Sequence, residues 1–274
     1  MRHQGCGCSV AGGGEREPGR LRAFVHHRRR SQRRTLRRGI SARTFPSPES
    51  RTAGFQSVIV AEPTRCEAVL AHRGIASARL RFIGRAGHAS GGHALDDNAL
   101  HQAVRWATHA IEHVEAQAHQ RFGGMTGLRF NIGRIEGGIK ANVVASQADV
   151  LFGFRPLPSM DSDELLRAFR ECAPAPPAEF VETFRGSPLP AGDLGAAEAK
   201  RLAARDLADE LGLPIGAAVD FWTEAALFSQ AGYTTFVYGP GDISQAHGAD
   251  EWIALDQLRV YARDVLRIVE EGLA

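Results

Sequence analysis

The stretch that decides the fold is LRFNIGRIEGGIKANVVASQADVLFGF, residues 128–154. At each end of it, in LRFNIG (128–133) and in DVLFGF (149–154), apolar residues alternate with polar or small ones. A period of two is expected of a strand that buries one face. The intervening EGGIKAN (136–142) contains adjacent glycines, which suit a turn or a close backbone approach. The stretch therefore predicts two strands joined by a turn-rich connection.

The segments on either side complete a regular order of strands and helices. SARLRF (77–82) alternates like a half-buried strand, and residues 97–121 carry apolar side chains three and four apart, as an amphipathic helix does. A second helix is predicted to begin at Asp161, a residue type that caps helices, and the strand EFVETF (179–184) follows it. The β-α-β-β-α-β order predicts a ferredoxin-like sheet over residues 76–185, with two helices on one face.

The outer parts of the chain have the pattern of an α/β domain. The apolar run SVIV (57–60) is a short predicted strand, and a helix, the apolar strand TTFVYG (234–239) and a final helix are predicted later in the chain. The later strand can pair most naturally with the first one. We therefore predict that residues 56–75 and 186–274 form one α/β domain into which residues 76–185 are inserted.

Residues 1–55 do not resemble a segment selected to fold. They are rich in arginine, show no apolar periodicity and contain no aspartate, the first of which is Asp96. We predict that they are disordered. The sharp change in composition favours an out-of-frame or wrongly started translation, and the alternative is a genuine basic tail that binds nucleic acid. Because the tail has no lysine and few aromatic residues, we expect no nucleic-acid partner.

Composition limits the class of protein. A chain of 274 residues with 43% hydrophobic residues is long enough for one large domain or two modest ones. No apolar run approaches the length that crosses a bilayer, and no secretory signal pattern follows the basic amino terminus. We therefore expect no membrane partner and a cytoplasmic location, with cysteines present as reduced thiols.

Glu62 and His247 each follow the carboxyl end of an apolar strand. This is a common position for site residues in open α/β sheets. Carboxylate and imidazole are ligands that suit zinc in a hydrolase, provided that further ligands and a water complete the shell. Taken singly, either residue is more often an ordinary surface or core residue, so this pattern alone leaves both interpretations open.

Six motifs in a fixed order resemble the M20 metallopeptidases and deacylases, over about residues 57–274. They are VAEPT (60–64), AHRG (71–74), GRAGHAS (84–90), FNIGRIEGGIKANVV (130–144), FRPLP (154–158) and GPG-x4-AH-x2-DE (239–251). The resemblance is strongest to acetylornithine and acetylcitrulline deacetylases. It implies a partial zinc-peptidase-like α/β catalytic domain with an inserted ferredoxin-like (βαββαβ) lid and dimerisation domain.

The resemblance also implies a function. It indicates an amide hydrolase, dependent on zinc or cobalt, that releases acetate from an N-acetyl amino acid in arginine biosynthesis and forms a homodimer through the lid. Glu62 and His247 match the carboxylate and imidazole ligands of two different metal ions. His88 matches a catalytic histidine that the lid supplies to the neighbouring subunit, where it would donate a hydrogen bond to the oxyanion.

Substrate-binding residues follow from the same motifs. Arg155 matches the lid arginine that binds the substrate α-carboxylate, a task that suits a planar guanidinium with parallel donors. Asn142 matches a lid asparagine near the same carboxylate. Gly239 and Gly241 match the loop that passes the substrate and leads to His247.

The sequence departs from the family pattern in one important respect. The upstream H-x-D motif, the aspartate that bridges the metals and the Glu-Glu pair that contains the general base are all missing from it. We therefore predict that the chain as written is inactive or nearly so. The alternative is a non-catalytic dimerising fragment of such an enzyme. The motifs do not distinguish an acetylornithine substrate from acetylcitrulline.

Overall fold

The computed structural model describes residues 57–271. The predictions made for residues 1–55 lie outside the described residues. The described strands are β1 (Ser57–Val60), β2 (Ile75–Ile83), β3 (Arg121–Phe122), β4 (Met125–Thr126), β5 (Arg129–Gly137), β6 (Gln147–Arg155), β7 (Glu179–Gly186) and β8 (Thr234–Val237). The described α-helices are α1 (Ala99–Ala116), α2 (Ser162–Glu171), α3 (Leu194–Glu210), α4 (Ala225–Gln230) and α5 (Leu255–Glu271).

Four antiparallel strands form the lid sheet, in the order β5-β6-β2-β7. Helix α1 lies between β2 and β5 in sequence, and α2 lies between β6 and β7, so the βαββαβ prediction is confirmed. Alternate residues of β2 are buried against the two helices, as its period of two requires. Trp106 of α1 has no exposed surface, and its indole donates a hydrogen bond of 2.7 Å to the carbonyl of Phe169 in α2. This bond ties the two helices to each other above the sheet.

The predicted first helix is too long at its carboxyl end. Asn98 caps α1 by accepting a hydrogen bond from Leu100, and the helix ends at Ala116 rather than near residue 121. The next residues form a hairpin of β3 and β4, whose turn contains Gly123 and Gly124, both with positive φ. The sequence reasoning missed this hairpin because each strand has two residues, too few to show a period.

The α/β part of the chain is built around a parallel pair of strands. Strand β1 pairs with β8, with Ser57 opposite Thr234 and Val60 opposite Val237. In this pairing, chain segments from before and after the lid meet in one sheet. Helices α3 and α5 pack on this sheet through a core that includes Phe236 and Tyr238. No helix within residues 57–271 is both long and apolar enough to cross a membrane.

Two crossings of the chain connect the α/β part to the lid. The outgoing crossing runs through His72 and Arg73 into β2, and the returning one leaves β7 and passes through Leu189. The backbones of His72 and Leu189 exchange two hydrogen bonds, of 2.9 and 3.1 Å, so the crossings are paired. His72 and Arg73 are fully buried at this junction.

Candidate functional site

The loops after β1 and β8 lie side by side and carry Glu62 and Gly239. Because these strands are parallel and paired, their carboxyl ends lie at the same edge of the sheet. The carbonyl of Gly239 accepts hydrogen bonds from the backbone N–H groups of Thr64 (3.2 Å) and Cys66 (2.9 Å). A Cβ at Gly239 would lie 2.5 Å from the Glu62 carbonyl oxygen, so this position requires glycine. Close approach of two backbones therefore holds Glu62 beside the second loop.

The second loop continues from Gly241 to His247. Gly241 has φ +94°, a conformation that favours glycine, and its carbonyl accepts a 2.8 Å hydrogen bond from Arg65 N–H. The Arg65 guanidinium forms an ion pair with Asp242. Asp242 in turn caps a short 3₁₀ helix, Ile243–Gln245, that leads towards His247. The loop that carries His247 is thus attached at several points to the loop that carries Glu62.

The charges of Glu224 and His247 act on the carboxyl group of Glu62. Burial raises the pKa of the Glu62 carboxyl above its ordinary value, the nearby Glu224 raises it further, and His247 lowers it. Glu224 is exposed and directly precedes α4. The loops that carry the predicted residues Glu62 and His247 are thus joined, and Glu224 is a further charge that acts on Glu62. Glu224 belongs to the segment DFWTEA (220–225), in which no sequence pattern indicates a role for it.

The described residues do not complete a metal site. Within residues 57–271, no three His, Cys, Asp or Glu side chains cluster so that they could hold a metal ion. A catalytic zinc site usually has three protein ligands, and a structural one has four. Glu62 and His247 are therefore too few to fit the zinc or cobalt that the motifs imply.

His88 and Asn142 lie together at the far end of the lid. His88 pairs with Val143 in an isolated bridge, and the carbonyl of Asn142 accepts a 3.0 Å hydrogen bond from the N–H of Ala89. Both side chains are exposed. The hydroxyl of Ser90 lies 2.8 Å from His88 Nδ1 and restrains the imidazole ring. This imidazole and this amide therefore face solvent from adjacent backbone segments.

Arg155 lies at the opposite end of the same sheet. The β2–β6 register runs from Ala76 opposite Phe154 to Ile83 opposite Gln147, and His88 follows β2 beyond Ile83. A strand rises about 3.4 Å per residue, so the nine-residue β2 separates these ends by about 27 Å. Arg155 and His88 of one chain therefore cannot contact the same small molecule. Arg155 instead lies near the junction with the α/β part, where its carbonyl accepts a hydrogen bond from Arg73.

Sequence reasoning quoted AHRG but gave no role to His72 or Arg73. His72 Nδ1 lies 2.8 Å from the Arg73 carbonyl, and its Nε2 lies 3.0 Å from the Thr223 hydroxyl. Burial lowers the pKa of His72 to about 4. The signal available in the sequence was a His-Arg pair directly after the apolar run AVLA (68–71), which indicates buried polar groups that need partners.

Comparison with known proteins identifies the lid. Residues 70–180 match the sequence family described as M20_dimer, Peptidase dimerisation domain. The N-acetyl-L-citrulline deacetylase of Xanthomonas campestris pv. campestris is 63% identical over 215 residues, which cover 78% of this chain and 59% of that protein. The acetylornithine deacetylase of Edwardsiella ictaluri is 28% identical over 206 residues, covering 72% of this chain and 52% of that protein. The chain thus spans between half and three fifths of the length of these relatives.

Solved structures show the same fold at low sequence identity. The aminopeptidase PepT of Bacillus cereus superimposes with a TM-score of 0.54 at 20% identity, over 82% of this chain and 59% of that one. A tripeptidase of Staphylococcus aureus superimposes with a TM-score of 0.52 at 19% identity, over 81% of this chain and 57% of that one. These matches confirm the mixed α/β fold class with an inserted lid. The resemblance to the M20 peptidases is confirmed, and the chain carries their dimerisation domain at residues 70–180.

Proposed function

We propose that the chain is the lid and part of the catalytic domain of an amide hydrolase that releases acetate from an N-acetyl amino acid in arginine metabolism. The observation that supports this proposal is the attachment of the loop that carries His247 to the loop that carries Glu62, at one edge of the β1–β8 sheet. Similarity to a protein named as an N-acetyl-L-citrulline deacetylase supports acetylcitrulline as the substrate, with acetylornithine as the second candidate. The predicted cytoplasmic location remains part of this proposal.

Two chains are needed to bring the proposed groups to one substrate. Arg155, near the α/β part of its own chain, binds the α-carboxylate. His88 and Asn142 lie about 27 Å away along the sheet, so they serve the site of a second chain in a homodimer. There His88 donates a hydrogen bond to the oxyanion, while Gly239 and Gly241 shape the loop along which the substrate lies.

In a complete enzyme, Glu62 and His247 would each help to hold a different zinc or cobalt ion, together with ligands that residues 57–271 do not supply. In hydrolases such an ion polarises the carbonyl group and lowers the pKa of a bound water. Because residues 57–271 supply no third ligand, we expect the 274-residue chain by itself to be inactive. Purified chain supplied with zinc or cobalt should release no acetate from acetylcitrulline or acetylornithine. Turnover at an ordinary enzymatic rate would contradict this expectation.

The second candidate function is a non-catalytic dimerising module. It is favoured by the incomplete metal set of residues 57–271 and by exposed apolar residues on α1, on β5 and in the loop after β5, at one edge of the lid sheet. These residues are Val104, Ile111, Ile135 and Ile139. In this case the lid would pair with a second copy, and Glu62 and His247 would have no catalytic role.

A chimera tests the two functions against each other. The matching 215 residues of this chain would replace their counterpart in the Xanthomonas campestris deacetylase, which supplies the part of the enzyme that this chain does not match. If Glu62, His247, His88 and Arg155 are functional, the chimera deacetylates N-acetylcitrulline, and Arg155→Ala raises its KM at least tenfold. The matched control Arg134→Ala, on an exposed residue of β5, should leave KM unchanged. A folded, dimeric chimera without activity would favour the non-catalytic module.

A further inference from the structure

A second arginine lies directly beside Arg155 on the open face of the lid sheet. Arg129 of β5 is opposite Arg155 of β6, and opposed residues of an antiparallel pair lie about 5 Å apart at Cα. Both side chains line a cavity of about 270 Å³. Gly153 and Ser77 form part of its floor, and the missing side chain at Gly153 leaves the floor open. Among the described residues that line this cavity, the charged ones are the two arginines.

Asp220 holds Arg129 in place, and the negative charge of its carboxylate is balanced by the arginines bonded to it. One carboxylate oxygen of Asp220 accepts a hydrogen bond of 3.4 Å from Arg129, and the other accepts one from the buried Arg73. Burial alone would raise the pKa of Asp220, but the bonds from the two arginines bring it below the ordinary value. Asp220 therefore stays ionised and engaged with both arginines. Together with Arg155, these groups carry a net charge of +2 at the cavity.

We propose that Arg129 is a specificity-determining residue that excludes N-acetyl amino acids with a cationic side chain and admits neutral ones that accept hydrogen bonds. This inference rests on the proposed function, in which Arg155 takes the α-carboxylate. The side chain of a substrate held at Arg155 then extends past Arg129, which offers donors and no acceptor. A ureido carbonyl can accept from that guanidinium. An ammonium group gains no hydrogen bond from that guanidinium and is repelled by the two positive charges of the cavity.

The test is ligand binding to the full 274-residue chain, measured by NMR titration with N-acetylcitrulline and N-acetylornithine at pH 7. The unaltered chain should bind N-acetylcitrulline at least tenfold more tightly. Arg129→Glu should abolish or reverse this preference, because it places a carboxylate near the ammonium group. Arg129→Lys should keep a preference of at least fivefold, since the excluding property is the positive charge. The matched control is Arg134→Glu, on the same strand and outside the cavity lining, which should leave the ratio unchanged.

The possible results separate this inference from the proposed function. If both ligands bind equally and Arg129→Glu weakens both equally, Arg129 helps to hold the carboxylate and the specificity role is wrong, while the proposed function stands. If neither ligand binds to the unaltered chain, or if binding is the same in Arg155→Ala as in the unaltered chain, both the proposed substrate pocket and the role of Arg129 are wrong. A preference for N-acetylcitrulline that persists in Arg129→Glu would also overturn the role of Arg129.

Discussion

At the residue scale, the junction between the lid and the α/β part depends on Arg73. Its guanidinium has no exposed surface and donates to the carbonyls of Gly127 (2.6 Å) and Thr126 (2.8 Å), and to Asp220. The first two acceptors belong to the lid, and the carboxylate belongs to the loop that precedes α4. The side chain of Arg73 therefore connects its own segment to two others around the crossing point.

Replacement of this arginine should be costly. Arg73→Ala leaves buried carbonyls and Asp220 without their donor, and we expect a loss of about 3 kcal/mol in the free energy of unfolding. Arg259→Ala is the control, because Arg259 pairs with Asp256 where both side chains are largely exposed. Such a pair contributes less than about 1 kcal/mol. Urea denaturation followed by circular dichroism measures both, and equal losses would contradict a structural role for Arg73.

His72 should make the protein sensitive to acid. Its pKa is about 4 in the folded chain because of burial, whereas it is about 6.5 in an unfolded one. Between these values the unfolded chain binds more protons, so stability falls as pH is lowered from 7 to 4, by about 3 kcal/mol for this group. The His72→Gln variant should have a lower free energy of unfolding than the unaltered protein at pH 7. It should lose less of that free energy when the pH is lowered. Urea denaturation at several pH values provides the comparison, and an unchanged pH dependence would rule out His72 as the source.

At this scale, the sequence indicated candidate residues better than it indicated the partners with which they interact. Glu62 and His247 were singled out because each follows an apolar strand, and the parallel pairing of β1 with β8 brings the ends of these strands to one edge. Their role in a site stays a prediction. Arg73, Asp220 and Arg129 were missed, since their cluster depends on contacts between segments more than fifty residues apart. No period or spacing along the chain records such contacts.

At the element scale, the lid sheet has two edges of different character. Strand β5 carries the exposed Ile135 and lies against α1, whose Val104 and Ile111 are also exposed. Strand β7, at the other edge, has Val181 exposed among charged residues of the segment EFVETFRG. An edge strand with unpaired backbone groups and apolar side chains is a template for pairing with another chain. We therefore expect β5 and α1 to form the dimer interface.

A pair of substitutions tests this choice of edge. Ile135 and Val181 are each 39% exposed, so lysine should be tolerated equally well in the monomer at both positions. Ile135→Lys should weaken dimerisation at least tenfold, because it places charged groups at the interface near the two-fold axis. Val181→Lys should leave it unchanged. Sedimentation equilibrium gives both dissociation constants, and the reverse result would place the interface at β7.

The sequence predicted element types well and some boundaries poorly. The alternation of apolar residues was sufficient to predict β2 and β6 as strands, because each has nine residues and one buried face. Helix α2 begins where Asp161 predicted, because its side chain accepts hydrogen bonds from Asp163 and Glu164. Helix α1 was predicted too long, because Ala118 continues the apparent apolar period although it is exposed and lies after the end of the helix at Ala116.

At the scale of the whole molecule, the candidate residues divide into two groups. Glu62 and His247 lie at the edge of the β1–β8 sheet, and Arg155 lies near the junction. His88 and Asn142 lie at the distal end of the lid. Membership of the site stays a prediction from the motifs, whereas the separation of the two groups follows from the register of β2 and β6, which motifs do not encode. The central claim is that a complete site takes residues from two chains.

Distances between spin labels test this claim most directly. In a chain without its native cysteines, Ser90→Cys marks the position beside His88, and Ser244→Cys marks the loop before His247; both serines are exposed. Pulsed electron paramagnetic resonance would compare mixed dimers, in which each chain carries one label, with doubly labelled chains diluted into unlabelled ones. We predict that the distance between chains is the shorter one and that the distance within a chain exceeds about 27 Å. A shorter distance within one chain than between chains would contradict the account.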